Sequence, residues 1–287
     1  MKTKKESWKK NNMKTIEELI IYGKKHIHKD QTILLLSSLL EVNYFDIYQM
    51  LDKEVDREFV DKFKLIIKSI KEDMPIQYLL GYTSFYGYNF KVNKDVLIPR
   101  FETEELVDKT KEYITKYFKD DLSICDIGTG SGAIAITLKK LFPNSSVTAV
   151  DISKKALKVA KDNAKELETD INFVEGNMLD NLESKYDLLI SNPPYLAKDD
   201  EIEEQVIKNE PHLALFGGGD GLKFYKEILS KAKRFLNDKS ILAFEIGYNQ
   251  KEHIFKLVDK YFPKAKKICI KDFNDYDRYI FIFNNLE

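Results

Sequence analysis

The chain has 287 residues, 43% of them hydrophobic and 32% charged, so it is long enough for one large globular domain or two modest ones with a buried core. No window reaches the roughly 18 uncharged apolar residues that a membrane helix needs, and no apolar stretch with a small-residue cleavage site follows the basic N-terminus, so we expect neither a membrane span nor a secretory signal. Because 46 Lys and Arg stand against 47 Asp and Glu, the net charge of −1 lacks the basic excess of proteins that bind long duplex DNA, and we expect no stable nucleic-acid binding.

The first part of the chain is predicted to be a basic tail followed by helices. Residues 1–12 are rich in lysine, and we expect them to form a disordered, solvated tail. Over residues 13–81 the apolar residues fall at helical spacing, and Thr15 followed by Ile-Glu-Glu is typical of a helix N-terminus. Pro75 is expected to end this helical pattern. The segment therefore predicts a small bundle of about four helices.

An alternating aromatic stretch and then an α/β pattern follow. Gly87 interrupts the aromatic residues, so residues 82–94 predict a β-hairpin, which we expect to link two domains. Over residues 95–287 strands and helices alternate, which predicts an α/β domain whose seven-stranded, mostly parallel sheet has helices on both faces. We expect strands at 123–127, 146–150, 171–174, 186–190, 240–246, near 268 and at 279–283, and helices at 133–141, 154–167, 221–235 and 250–261. Ligands of such sheets bind at the carboxyl ends of the strands, where the strand order reverses.

Residue types that bind metals are sparse. Cys125 and Cys269 both lie in apolar runs and are expected in buried strands. Two cysteines are too few for a disulfide framework or a metal cage, so a reducing cytoplasm is the simplest location. His26 and His28 lie close together, but no Cys or acidic partner completes a site. We therefore predict no metal site.

A glycine-rich loop follows the first predicted strand of the α/β segment. Its sequence is Asp126-Ile-Gly-Thr-Gly-Ser-Gly-Ala, and it opens a helix. Gly128 and Gly130 permit a tight turn and a close approach of the backbone to a ligand. Gly132 is expected to let the helix pack close to the sheet. The loop is a moderate signal for a nucleotide-like cofactor, because the third glycine comes one residue earlier than in the usual dinucleotide loop.

Polar residues at the ends of the next two strands complete the predicted cofactor site. Asp151 ends the second strand, about twenty residues after the loop, where an acid can accept hydrogen bonds from ribose hydroxyls of either NAD or S-adenosylmethionine. Its alternative role is to cap the helix that starts near Ser153. Asn177 and Met178 follow the third strand and could meet the edge and face of an adenine ring, although packing within a surface loop would also explain them.

The segment Ser191-Asn-Pro-Pro-Tyr follows the fourth strand and points to chemistry. Pro193 and Pro194 fix the backbone and lack N–H donors, so neighbouring carbonyls are held available. The Asn192 side chain and the Pro193 carbonyl can each accept one N–H of an amide, which aims the nitrogen lone pair at a methyl group. Tyr195 offers a flat face to a planar group. A rigid turn is the alternative, but the position opposite a glycine loop favours a site.

These motifs together resemble a known family. Asp126–Ala133, Asp151 and Asn192–Tyr195 resemble the class I S-adenosylmethionine-dependent methyltransferases that modify planar nitrogens. More specifically, the chain resembles the HemK/PrmC release factor glutamine methyltransferases from its N-terminal helices to its last strand. Further stretches carry this resemblance: Pro75-Ile-Gln-Tyr-Leu-Leu-Gly, Phe85-Tyr-Gly-Tyr-Asn-Phe, Leu97-Ile-Pro-Arg-Phe-Glu-Thr-Glu, Glu210-Pro-x-x-Ala-Leu-Phe-Gly-Gly-x-Asp-Gly-Leu and Glu245-Ile-Gly-x-x-Gln.

The resemblance implies a Rossmann-like methyltransferase domain, S-adenosylmethionine as cofactor, and methylation of the glutamine in the Gly-Gly-Gln loop of peptide-chain release factors, which supports translation termination. It implies that the N-terminal helices dock the release factor, and we expect a monomer. The expected cofactor-binding residues are Gly128, Thr129, Gly130, Ser131, Gly132, Asp151, Asn177, Met178 and Asn192. The residues expected to hold the glutamine are Asn192, Pro193, Pro194 and Tyr195, with Asn192, Pro193 and Tyr195 serving catalysis.

Two positions near the predicted site depart from the family's pattern, and a third carries a charge beside prolines. Phe101 stands where the family usually has proline, and we expect it to reshape the methyl-transfer pocket slightly. Met178 stands where some members carry an aromatic residue, although a thioether can also pack on a ring. Arg100 is expected either to act in the site or to form a surface ion pair. A helix start at Thr103 would explain the acids on either side of that residue without any function.

Other classes of protein could use the same motifs. An adenine-N6 DNA or RNA methyltransferase also has Asn-Pro-Pro-Tyr, because an exocyclic amine is planar like an amide. The near-zero net charge and the helical N-terminal segment argue against that alternative. A non-enzymatic interaction module with this fold and an NAD enzyme are weaker alternatives, since the glycine loop and the Asn-Pro-Pro-Tyr segment are both intact.

Overall fold

The computed structural model describes residues 13–119 and 121–286, so the predicted tail at 1–12 lies outside the described residues. The chain divides into two compact units, the first ending at Gly81 and the second beginning at Tyr82. Among the described residues, no helix is long and apolar enough to cross a membrane.

The first unit is mainly helical. Its helices are α1 (Ile16–Gly23), α2 (Lys29–Leu40), α3 (Arg57–Lys71) and α4 (Ile76–Leu80), with a 3₁₀ turn at Tyr44–Gln49. Two short strands, β1 (Lys14–Thr15) and β2 (Glu54–Val55), pair antiparallel. One apolar cluster fills the unit; its members with the largest side chains include Ile16, Leu19, Ile33, Leu35 and Phe63.

Local capping signals explain where these helices begin. The Thr15 side chain accepts from the Glu18 N–H, and the Glu18 carboxylate accepts from the Thr15 N–H, so the predicted start of α1 is confirmed. The expectation that Pro75 ends the helical pattern is wrong, because α4 follows it directly. Pro75 is the N-cap of this helix, where a missing N–H costs nothing because the start of a helix leaves such groups without an intrahelical partner.

The second unit has alternating strands and helices. Its strands are β3 (Tyr82–Phe85), β4 (Tyr88–Lys91), β5 (Ser123–Ile127), β6 (Ser146–Asp151), β7 (Asn172–Glu175), β8 (Tyr186–Ser191), β9 (Leu236–Glu245), β10 (Lys266–Lys271) and β11 (Asp277–Asn284). Its helices are α5 (Phe101–Tyr117), α6 (Ala133–Leu141), α7 (Lys154–Glu166), α8 (Glu204–Asn209), α9 (Lys223–Lys231) and α10 (Lys251–Tyr261).

The predicted mostly parallel sheet is confirmed. Within the described part of the chain, its seven strands run in the order β10-β11-β9-β8-β5-β6-β7, and β11 alone runs in the opposite direction to the other six. Adjacent residues Ile124 and Cys125 belong to different apolar clusters, as expected for a sheet covered on both faces. The strand order reverses between β5 and β8. There the Ser191 hydroxyl donates to the Ile127 carbonyl over 2.6 Å, which joins the two carboxyl ends.

The predicted hairpin is also confirmed. Strands β3 and β4 pair antiparallel around Tyr86 and Gly87, whose φ angles of 51° and 78° are those of a two-residue hairpin turn. Asn163 of α7 holds the hairpin from the other side: its Oδ1 accepts from the Lys91 N–H over 2.7 Å, and its Nδ2 donates to the Lys91 carbonyl over 3.0 Å.

Several elements differ from the sequence-based expectations. Helix α8 was not among the predicted helices, and α5, for which a start at Thr103 was considered, begins at Phe101. Strand β9 begins at Leu236, four residues before its predicted start at 240, and the helix predicted at 221–235 is α9 followed by a 3₁₀ turn. Cys269 lies in β10 but is only partly buried, because β10 is the edge strand of the sheet.

Candidate active site

A cleft opens at the carboxyl ends of the parallel strands of the second unit. It brings together Gly128, Gly130, Asp151, Asn177, Met178, Asn192 and Pro194 from the predicted site. Two flanking segments, residues 95–97 and 211–214, also line the cleft, together with the start of α9. Their lining residues are Asp95, Val96, Leu97, Pro211, Leu213, Ala214, Lys223 and Phe224. Ile152, Ser153, Ala156 and Gly176 complete its walls. Asn192 and Pro194 therefore face the same cavity as Gly128 and Gly130, at the place where the strand order reverses. Pro193 and Tyr195 are not among the residues that line it.

The glycine loop presents bare backbone to this cleft. Gly128 and Gly130 have φ angles of 76° and 56°, and the space where their Cβ atoms would lie is open. At Gly132, a Cβ would lie 3.1 Å from Cβ of Ala160 in α7 and 3.0 Å from the Ile136 side chain. Gly132 therefore permits close packing of α6 on α7, rather than on the sheet as the sequence predicted.

The N–H groups of the loop are largely used within the protein. Those of Gly128 and Thr129 donate to the Val150 carbonyl over 2.8 and 2.9 Å, and that of Gly130 donates to Asp151. A dinucleotide pyrophosphate is bound through free N–H groups at such a loop. Three of those donors are committed here, which disfavours the NAD alternative.

Thr129 and Ser131 face the interior instead of the cleft. The Thr129 hydroxyl donates to Oδ2 of the buried Asp126 over 2.6 Å, and the Ala135 N–H donates to the same oxygen over 3.2 Å. Oδ1 of Asp126 is buried without a hydrogen-bond partner among the described residues. Loss of hydration raises the pKa of Asp126 to about 7. The Ser131 carbonyl accepts from Asn163 over 2.9 Å. Thr129 and Ser131 therefore hold the loop on the side that faces the protein interior.

Asp151 lies at the edge of the cleft and joins two backbones. Its Oδ2 accepts from the Gly130 N–H over 2.9 Å, and its Oδ1 accepts from the Ser153 N–H over 2.8 Å. Ser153, and not Asp151, caps α7, since its hydroxyl accepts from the Ala156 N–H. Burial raises the pKa of Asp151 above its usual value. Each carboxylate oxygen keeps a second lone pair for a ligand.

Asn177 and Met178 line the opposite wall. The Asn177 amide donates to Oε1 of Glu227 over 2.7 Å, which leaves its own oxygen to accept from a ligand amine. Met178 adopts a left-handed backbone with φ of 51° and is only 7% exposed. It belongs to the apolar cluster under the sheet, so its thioether both packs in the core and lines the cleft.

The Asn-Pro-Pro-Tyr segment is supported from below. Asn192 donates through Nδ2 to the Thr103 hydroxyl over 3.0 Å. Pro193 is buried, and Tyr195 is partly buried and packs against the core. The Tyr195 carbonyl accepts from Nε2 of Gln250 over 2.8 Å. These contacts hold the segment in one conformation, which an ordinary surface turn would not need.

Two glycines let a neighbouring loop lie directly against this segment. A Cβ at Gly217 would lie 2.5 Å from the Pro194 carbonyl oxygen, and one at Gly221 would lie 2.4 Å from the Tyr195 carbonyl oxygen. A side chain at either position would therefore displace the backbone of the segment.

Arg100 forms an ion pair whose partner, Glu210, is buried. The Ile98 N–H donates to the other Glu210 oxygen over 3.1 Å. The pair is thus neither a surface pair nor part of the cleft lining; it joins the two flanking segments that do line the cleft. Phe101 is the first residue of α5, where proline is favoured, and its side chain is 64% exposed and outside the cleft lining.

Sequence reasoning missed several residues that support the site. They are Thr103, Asn163, Glu210, Glu245 and Gln250. All but Asn163 lie in the stretches that carry the family resemblance. A polar residue that ends a buried strand, as Glu245 ends β9, was the available signal.

The comparisons with known proteins give the class first. The family model described as the methyltransferase small domain matches residues 101–272. A methyltransferase from Pyrococcus furiosus has the same fold, with a TM-score of 0.51 at 18% identity over 70% of this chain and 91% of that one. A 16S rRNA methyltransferase from T. thermophilus, solved with AdoMet and guanosine, has a TM-score of 0.52 at 13% identity over 71% of this chain and 50% of that one. The fold and the family model define this chain as a methyltransferase.

Curated relatives identify the particular family. The release factor glutamine methyltransferase of Bacillus cereus is 40% identical over 254 residues, which cover 86% of this chain and 90% of that protein. Its counterpart from Streptococcus pneumoniae is 39% identical over 89% of this chain and 91% of that protein. The one from Fusobacterium nucleatum is 38% identical over 98% of this chain and 81% of that protein. This chain belongs to the release factor glutamine methyltransferase family.

Proposed function

We propose that this protein transfers a methyl group from S-adenosylmethionine to the side-chain amide nitrogen of the glutamine in the Gly-Gly-Gln loop of peptide-chain release factors. The supporting observation is the position of Asn192 and Pro194 on the same cleft as Gly128, Gly130 and Asp151. Relatives that match most of the chain are named release factor glutamine methyltransferase, which supports glutamine methylation of release factors. They do not favour the adenine-N6 alternative.

The residues of the cleft fit S-adenosylmethionine. The open space over Gly128 and Gly130 lets a ligand approach the backbone, and the free lone pairs of Asp151 suit ribose hydroxyls. The oxygen of Asn177 suits the exocyclic amine of adenine, and Met178 offers a thioether to the ring face.

Orientation of the glutamine amide is the main task of the protein in this reaction. S-adenosylmethionine, when bound, supplies a sulfonium methyl group that is open to in-line attack. In the proposal, Oδ1 of Asn192 and the carbonyl of Pro193 each accept one N–H of the amide, and Tyr195 packs against its plane. Holding the nitrogen in line in this way can lower the barrier by about 7–11 kcal/mol. The proton released from the methylated nitrogen passes to water, so no strong base is required.

The helical first unit is proposed to dock the release factor. We take residues 13–81 as the docking domain, the hairpin at 82–94 as its link, and residues 95–287 as the catalytic domain, acting as a cytoplasmic monomer. Removing the residues before Tyr82 should spare binding of S-adenosylmethionine and impair methylation of the intact release factor. Normal methylation by the truncated protein would contradict the docking role.

A methyl-transfer assay with labelled S-adenosylmethionine tests the activity itself. Purified release factor is offered beside the same factor with the glutamine of its Gly-Gly-Gln loop changed to alanine. Label on the first alone is the expected result. Label on neither, together with label on added DNA or RNA, would move the assignment to the nucleic-acid alternative.

A further inference from the structure

A buried chain of hydrogen bonds runs from the Asn-Pro-Pro-Tyr segment into the core of the second unit. Nδ2 of Asn192 donates to Oγ1 of Thr103 over 3.0 Å, and the Thr103 hydroxyl donates to Oε2 of Glu245 over 2.7 Å. Thr103 is 5% exposed and Glu245 is 2% exposed. The three residues come from the loop after β8, the first turn of α5 and the carboxyl end of β9.

The chemistry of these groups gives the chain one direction. An ionised carboxylate only accepts hydrogen bonds, so the single hydroxyl proton of Thr103 goes to Glu245. Oγ1 of Thr103 is then left with lone pairs only, and it can bind the NH₂ group of Asn192 but not its carbonyl oxygen. This arrangement turns Oδ1 of Asn192 away from Thr103.

We propose that Thr103 and Glu245 are positioning residues that fix the side-chain amide of Asn192 in the orientation with its oxygen free for the substrate. A flipped amide would present NH₂ to the NH₂ of the glutamine, where two donors repel. The inference rests on the proposed function, because the amide of the substrate is what the freed oxygen binds.

Glu245 is itself held in place. Its backbone carbonyl accepts from the Tyr225 hydroxyl over 2.7 Å. Arg278, which donates to Asp272 and to the Ile246 carbonyl, favours the ionised form of Glu245. Burial has the largest effect and raises the pKa of Glu245 to about 7, although hydrogen bonds from Thr103 and Asn192 and the charge of Arg278 act to lower it. The other titratable groups whose charge acts on Glu245 or responds to it are Glu102, Tyr195, Tyr225 and Tyr279.

The test uses two threonines of the same helix. Thr103→Val removes the hydroxyl from the hydrogen-bond chain and should lower kcat about 100-fold, as a misplaced reacting group does. Thr103→Ser keeps the hydroxyl and should restore kcat to within a few-fold of the wild type. Thr110→Val is the matched control, since Thr110 is equally buried in α5 and its hydroxyl has no hydrogen-bond partner among the described residues. It should leave kcat unchanged.

Binding of S-adenosylmethionine by calorimetry separates positioning from general damage. We expect Thr103→Val to bind the cofactor with a Kd within a few-fold of the wild type while kcat falls. An unchanged kcat, or an equal loss of cofactor binding and kcat in Thr103→Val and Thr103→Ser, would overturn the inference. An inactive wild-type enzyme would instead contradict the proposed function, so the two failures are distinguishable.

Glu245→Gln gives a second test that does not depend on the fold of the threonine variants. Glutamine can donate to Thr103, so both directions of the chain become possible and kcat should fall at neutral pH. In the wild type, kcat should decline as the pH drops through about 7 and Glu245 takes up a proton. In Glu245→Gln this decline of kcat at low pH should be absent, because the glutamine side chain does not titrate. The same pH dependence in both proteins, with equal kcat, would overturn the inference.

Discussion

The backbone N–H of Gly130 donates to Oδ2 of Asp151 over 2.9 Å, which joins the loop after β5 to the end of β6. One acid therefore shapes the glycine loop and also presents free lone pairs to the cleft. The sequence does not show how much Asp151 contributes to holding the loop and how much to binding a ligand. They can be separated by measuring cofactor binding and stability together.

Asp151→Ala should weaken S-adenosylmethionine binding by roughly 1–3 kcal/mol, the usual scale for a lost hydrogen bond to a charged group. Isothermal titration calorimetry measures this directly. Asp170→Ala, at an exposed position before β7, is the control and should bind as the wild type does. An unchanged Kd in Asp151→Ala would remove Asp151 from the cofactor site.

Asn192→Ala should lower methyl transfer by about 10²–10³-fold, because a preorganised hydrogen-bond partner of the reacting group is lost. Cofactor affinity should change much less. Steady-state kinetics on the release factor and calorimetry with S-adenosylmethionine check the two parts. Asn144→Ala is the control, since Asn144 is exposed in the loop that enters β6 at its amino end. Full activity in Asn192→Ala would contradict the proposed role in holding the glutamine.

Alanine at two glycines of the loop should give opposite patterns. Both have positive φ, which costs a residue with a Cβ about 1–2 kcal/mol. Gly132→Ala also crowds Ala160 and should lose more stability, whereas Gly128→Ala has open space but reaches into the cleft and should lose more cofactor affinity. Urea denaturation and calorimetry on both variants decide this. The reverse ranking would mean that the loop is not the cofactor surface.

Arg100→Ala should destabilise the protein by about 3 kcal/mol, since it leaves the buried carboxylate of Glu210 without its ionic partner. Arg100→Lys keeps the charge and should lose less. The double variant Arg100→Ala with Glu210→Gln should recover part of the loss, because no unpaired charge remains. Denaturation curves measure all three. Equal stability in Arg100→Ala and the wild type would show that the pair does not hold the flanking segments.

The stability of Asp126→Asn relative to the wild type should rise with pH. The pKa of Asp126 is about 7 in the folded protein and near 3.8 without burial. The wild type therefore loses stability between those values, as the unfolded chain releases a proton that the folded protein retains, by up to about 4 kcal/mol. Asparagine does not titrate. Denaturation at several pH values should show a difference that grows from about pH 4 to 7 and is then flat; a constant difference would contradict a raised pKa.

Local signals predicted much of the fold. Strand β5 and helix α6 have their predicted bounds, because the glycine loop marks both a strand end and a helix start. The extent of helix α5 was not predicted, since charged residues outnumber the buried Leu106, Val107 and Ile114 along it. The prediction at Pro75 was wrong because proline can either end a helix or precede a new one. Only the packing of α4 on the core of the first unit shows that a new helix begins here.

Sequence alone determined the family, the glycine loop and the Asn-Pro-Pro-Tyr segment, because those signals are contiguous in the chain. Only the tertiary structure decided which buried side chains support the residues of the cleft. Thr103 and Glu245 are 142 residues apart in the chain, and Arg100 and Glu210 are 110 apart. Such pairs meet because α5 and the segment after β8 lie near the carboxyl end of β9, inside the sheet order. A hydrogen bond depends on the distance between two atoms in space, and the separation of two residues along the chain does not predict that distance.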